Sequence, residues 1–97
     1  MVTVELLRDG ITYTVTAKGH ATGSPEMCAA VSTLMCMAAG WAQCEERAKV
    51  LRADLGSGDA TVSWRGVGEP VFDALEVGFR QLEMTDPKRI RVEKKIC

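Results

Sequence analysis

The chain carries a single histidine, His20, and eight residues later one of its four cysteines, Cys28. That pair has a chemistry: an imidazole beside a thiol takes its proton, and the resulting thiolate is a nucleophile at neutral pH. Ser24-Pro25 reads as an N-cap followed by proline at the first helical position, which sets Cys28 about one turn inside a helix. Unpaired N–H groups and the positive end of the macrodipole favour a thiolate there, with His20 in the loop just before it. The N–H groups from Met27 to Ala29 are candidates to hold the oxyanion of an acyl-transfer intermediate. On residue types alone a blander account also stands, a turn histidine followed by a core cysteine. Glu26, two residues from the thiol, opposes thiolate formation, and either orients the imidazolium or simply solvates the first turn of the helix.

The remaining cysteines, Cys36, Cys44 and Cys97, sort by geometry. On one helix, Cys28 and Cys36 stand ~12 Å apart along the axis. A disulfide spans about 7 Å at most between Cα atoms, and structural zinc sites favour C-x₂₋₄-C spacing, so neither is expected. The same argument applies to Cys36 and Cys44. Cys36 is expected to be a small buried hydrophobe, Cys44 to sit near a partly exposed helix end, and Cys97 to be terminal and mobile. No metal or cofactor is implied.

These residues need elements to hold them. Val2, Val4 and Leu6 alternate with Thr3 and Glu5, and Ile11, Tyr13, Val15 and Ala17 alternate with threonines and Lys18, the period of half-buried strands. Asp9-Gly10 between the runs predicts a type I′ hairpin over 3–18. After the Gly19–Pro25 loop, Met27 to Ala42 is apolar on nearly every side, so this helix, ending near Gly40 or Gln43, must be covered on more than one face. Residues 48–55 and 59–65 flank Gly56-Ser57-Gly58-Asp59, a second hairpin. Val71, Phe72, Leu75, Phe79 and Leu82 recur at helical spacing and predict an amphipathic helix over 69–84, stopped before Pro87. Ile90 and Val92 alternate with Arg89, Arg91 and Glu93 in a last strand whose charged outer face discourages edge pairing. The order ββαββαβ predicts an α+β fold, a mostly antiparallel sheet packed with two helices, as a single domain over 1–97. Trp41 and Trp64 fall at positions that read as core.

Composition sets the outer limits. Ninety-seven residues with 46% hydrophobic content supply one modest core. Twelve Lys and Arg against 13 Asp and Glu leave a charge of −1, so nothing drives the chain toward nucleic acid or anionic lipid. The N-terminal stretch has no basic segment leading into an apolar one, and no continuous apolar run reaches the ~18 residues a membrane span needs, so a cytoplasmic protein without membrane contact is expected.

Gly19-His20-Ala21, then a short loop, then Cys28-Ala29-Ala30-Val31-Ser32-x-Leu34 resembles the signature of the ribosomal-processing cysteine protease family, Prp. The order of elements and the tail, a helix followed by Pro87 and a basic-edged strand, are similar too, so the resemblance spans nearly the whole chain. It implies a small homodimeric cysteine peptidase that trims the N-terminal extension of a bacterial large-subunit ribosomal protein, cutting after an aromatic residue and before a small one. It also implies His20 as general base and Cys28 as nucleophile, with Gly19 turning the backbone so that the imidazole faces the thiol. Ser32, on the helical face of Cys28, either supports the site by hydrogen bonding or is a small residue where the sheet approaches. The loop from His20 to Cys28 is shorter than is usual in the family, and Ser24-Pro25-Glu26-Met27 replaces its aspartate and glycine. Two functions are therefore weighed: the peptidase, and a peptide-binding module of the same fold without catalysis.

Overall fold

The computed structural model describes residues 1–97. Its elements are β1 (Val2–Asp9), β2 (Thr12–Lys18), α1 (Pro25–Cys44), β3 (Ala48–Gly56), β4 (Asp59–Gly66), α2 (Glu69–Thr85) and β5 (Ile90–Ile96), the expected ββαββαβ order. The five strands form one sheet in the order β3-β4-β2-β1-β5. Three pairings are antiparallel and β1 with β5 is parallel, so the sheet is mostly antiparallel as read from the sequence.

Only the turn of the first hairpin departs from its expected type. Gly10 has φ +62 and no other residue of that turn has positive φ. A type I′ turn requires positive φ at both central positions, whereas glycine first and an ordinary residue second suits type II′. Asp9 thus closes β1 opposite Thr12, and the turn proper is Gly10-Ile11.

Alternation decides which face of the sheet is covered. Val4 lies opposite Ala17 and Val92, Leu6 opposite Val15, Val15 opposite Val62, and Tyr13 opposite Trp64, all of them buried. Both helices cover this face, α1 against β3, β4 and β2 and α2 against β5 and β1, and they touch each other. Tyr13 stacks on Trp64 with centroids 5.3 Å apart, and Trp41 meets Trp64 edge-on at 5.7 Å. Trp64 is fully buried and Trp41 half-buried. On the opposite face the threonine-rich positions answer each other, with the Thr14 and Ser63 hydroxyls 2.9 Å apart.

Burial along α1 corrects one expectation. Met27, Val31, Met35, Ala38 and Ala42 form its inner stripe. Cys36 follows Met35 by one residue, about 100° round the helix, and is exposed rather than buried. Cys44 is exposed, as expected at a helix end. Cys97 is exposed but not loose, because its N–H donates to the Arg8 carbonyl at 2.8 Å and continues the β1–β5 ladder. At the end of α1 the Arg47 side chain, hydrogen-bonded to Glu45 at 2.9 Å, holds the Glu45 carboxyl below its ordinary pKa.

The outer face of α1 is also uncharged, which bears on the membrane expectation. No charged residue occurs from Met27 to Cys44, and the helix is long and apolar enough to cross a membrane by length and composition. Interrupting small and polar residues hide this from a count of continuous apolar runs. The inner stripe is accounted for by packing on the sheet.

The free edge of β5 is covered by side chains of α2. Glu83 Oε2 accepts the Val92 N–H at 2.7 Å, and Arg80 donates to the Val92 carbonyl at 2.8 Å. Unpaired edge groups invite association, and these two residues occupy those of Val92. Glu83→Ala is expected to lower stability by about 1.5–3 kcal/mol, the range for a hydrogen bond to a charged group, measured by urea denaturation. Three of the strand's four charges are in ion pairs, Arg91 with Glu93 at 2.9 Å within the strand and Lys94 with Glu76 of α2 at 2.8 Å.

Candidate active site

His20 and Cys28 line one cavity of ≈ 240 Å³ between the N-terminal half of α1 and the β3–β4 turn. The row Cys28, Ser32, Cys36, spaced by four along α1, forms one wall, and Leu55 to Ala60 forms the other. The structure thus brings together the two residues singled out for the dyad, and it adds Ser32 to the same wall. Cys28 is half-buried, while His20 and Ser32 are exposed.

The loop between them is short and pinned. Gly19 has φ +96, and a Cβ there would overlap the carbonyl of Met1, so glycine is what lets the chain leave β2 toward α1. Ala21 is buried, and its carbonyl accepts the Ser24 N–H at 3.0 Å and lies 3.8 Å from the Cys28 thiol, which donates to it. Thr22 offers its carbonyl to Arg89 Nε at 3.1 Å, and Arg89 is in turn held by Asp86 at 2.8 Å.

The same cap that starts α1 removes the expected oxyanion donors. Ser24 Oγ accepts the Met27 N–H at 3.2 Å, and the Ser24 carbonyl accepts the Cys28 N–H at 3.2 Å. Ala29 lies one residue further in, where the i→i−4 pattern already pairs N–H groups, and its side chain is exposed outside the cavity. An N-cap satisfies these groups so that the helix can begin, and the donors counted as free are consumed by that role. Met27 itself is a core residue. Glu26 is exposed and does not line the cavity, which fits the solvated first-turn account.

One contributor was not anticipated. The Gly56–Asp59 segment read simply as a turn, yet Lys18 lies opposite Asp59 in the β2–β4 ladder, and Gly19-His20 therefore emerges beside Gly58. The Gly19 N–H donates to the Gly58 carbonyl at 2.9 Å. Glycine content marks the turn, but no local signal says that β4 pairs with β2.

Two solved structures share this architecture. That of SMU.848 from Streptococcus mutans has a TM-score of 0.73 at 22% identity, covering 100% of this chain and 99% of that one. An essential ribosomal processing protease, Prp, from S. aureus, solved with a covalently linked product peptide, gives a TM-score of 0.72 at 20% identity, covering 98% of this chain and 100% of that one. The fold is Prp-like. No family model and no curated protein matches the sequence. At this level of identity the likeness to Prp concerns the fold, and it extends over the full set of elements that frames the His20–Cys28 cavity.

Proposed function

We propose that the chain is a cysteine endopeptidase acting by a Cys28–His20 dyad. The observation that carries this reading is the convergence of the only histidine and the one half-buried cysteine on a single cavity. His20 takes the Cys28 thiol proton, and the sulfur attacks the scissile carbonyl, forming a C–S bond. As the C–N bond breaks, the imidazolium returns its proton to the leaving amine, and a water deprotonated by His20 then hydrolyses the thioester. We assign support of the developing oxyanion to the Ser32 hydroxyl, which lies on the cavity wall. A peptide substrate is supported by the bound product in the S. aureus neighbour. The resemblance further suggests the N-terminal extension of a bacterial large-subunit ribosomal protein, cut between an aromatic and a small residue, in the cytoplasm. Incubating the chain with such a peptide and reading products by mass spectrometry tests the reading, and an intact peptide overturns it.

A peptide-binding module without catalysis draws on one observation: the N–H groups of Met27 and Cys28 are already hydrogen-bonded to Ser24. Binding of the peptide without cleavage is the outcome that would favour it.

The homodimer suggested by the resemblance also has a surface to suit it. The uncharged outer face of α1 includes Met37, 43% exposed, beside Thr33 and Gly40. Burying that face against a second copy costs no ion desolvation. Light scattering is expected to give twice the chain mass for the intact protein and the chain mass for Met37→Glu.

A further inference from the structure

We infer that Gly58, at the tip of the β3–β4 turn, is the residue that positions the His20 imidazole, an inference that rests on the dyad reading above. A Cβ built on Gly58 would overlap Nε2 of His20, lie 2.5 Å from Cε1 and 3.1 Å from Cδ2. The ring therefore lies directly on the glycine, in the space a side chain would fill. The hydrogen bond from the Gly19 N–H to the Gly58 carbonyl, 2.9 Å, fixes the backbone next to His20 against the same residue. One glycine thus sets both the main chain and the ring of an otherwise exposed histidine.

Two features make this a positioning role beyond the requirement of the turn. Gly58 has φ +71, which L side chains rarely adopt, so glycine suits the turn in any case. Gly10 has a closely similar φ of +62 in the other hairpin, but nothing lies within 4 Å of its absent Cβ. The difference between the two positions is the imidazole. Gly58 also lies on the wall facing Cys28 across the cavity, so a ring pushed off it changes its distance to the thiol. Gly58 touches neither substrate nor the reacting sulfur in this account. It acts through His20.

The test compares Gly58→Ala with Gly10→Ala, which also forces alanine to positive φ but at a site with no neighbour. Cleavage and the pH profile of Cys28 alkylation by iodoacetamide are both measured. Because Cys36, Cys44 and Cys97 are exposed, alkylation is read on the Cys28 peptide by mass spectrometry. A displacement of the ring by about 1 Å is expected to lower kcat on the order of 10²-fold with KM little changed. The Gly58→Ala alkylation profile should move to that of His20→Ala, while Gly10→Ala keeps the profile and kcat of the unmodified chain. Gly58→Ala matching Gly10→Ala, while His20→Ala differs from both, overturns the role of Gly58 and leaves the dyad standing. A His20→Ala profile and rate identical to the parent overturns the dyad, and the positioning role with it. A third measurement needs no variant: the chain has one histidine, so its ring Hε1 gives a single assignable NMR signal. A nuclear Overhauser contact from that proton to the Gly58 α-protons is expected in the parent protein, and its absence overturns the inference even if Gly58→Ala fails to fold.

Discussion

Cys28→Ala is expected to leave no measurable cleavage of a peptide with an aromatic-small junction, and His20→Ala to lower kcat by about 10²–10⁴-fold, the usual worth of a positioned acid–base group. The two losses differ in kind. Without the thiol no acyl-enzyme forms, whereas without the imidazole a small thiolate fraction still attacks and water still supplies protons. Both variants should remain folded, since Cys28 is only half-buried and His20 is exposed. Circular dichroism spectra superimposable on the parent establish that, so a loss of turnover reports chemistry. Normal turnover by Cys28→Ala would remove the peptidase reading altogether. Retained turnover by His20→Ala, with Cys28→Ala inactive, would mean that another group manages the proton. Ser32→Ala separates a further possibility, because loss of an oxyanion donor costs on the order of 10²–10³ in kcat and a mere spacer costs nothing.

The largest effect on stability is expected at Trp64. It is fully buried on the helix-covered face of β4, stacked on Tyr13 at 5.3 Å, met by Trp41 at 5.7 Å, and its Nε1 donates to the Val67 carbonyl at 3.0 Å. Trp64→Ala removes the largest side chain of the core and leaves a cavity between sheet and helices, at an expected cost of about 3–5 kcal/mol. The Val67 carbonyl also loses its donor. A domain of this size has roughly 5–15 kcal/mol in all, so the variant keeps only part of its stability, and the midpoint of thermal unfolding should fall by on the order of 12 °C or more. Trp64→Phe restores the stack without the N–H and should recover most of that loss. An unfolding midpoint for Trp64→Ala within a few degrees of the parent would mean that the aromatic cluster does not carry the core.

These two predictions draw on different amounts of the sequence. Trp64 could be placed in the core from its position in an alternating run, since alternation is a local property that one strand displays by itself. Cys28 could be placed one turn inside α1 because Ser24-Pro25 is a local start signal, and Ser24 does cap Met27 as that signal requires. The same cap also takes up the Met27 and Cys28 N–H groups that the oxyanion reading counted as free. A free N–H at a helix start and a capped one follow from identical residues, and the count of donors has to be made after the cap has taken its share. Cys36 was misread for a related reason: a helix apolar on nearly every side does not reveal which side meets the sheet.

The amino-acid sequence by itself determined the kinds and order of the elements, the buried side of β1, β2 and β5, and the standing of His20 and Cys28 on either side of a helix start, because each of these is written in spacings of two to eight residues. Tertiary structure decided what stands opposite the histidine. Pairing of β4 with β2 carries Gly58 to His20, pairing of β5 with β1 brings Arg89 to Thr22, and packing of α1 on β3 and β4 leaves the Cys28, Ser32, Cys36 row on a cavity wall. Strand order and helix docking come from contacts between residues far apart in the chain, chosen by the fit of whole faces, and no local spacing records which face will meet which.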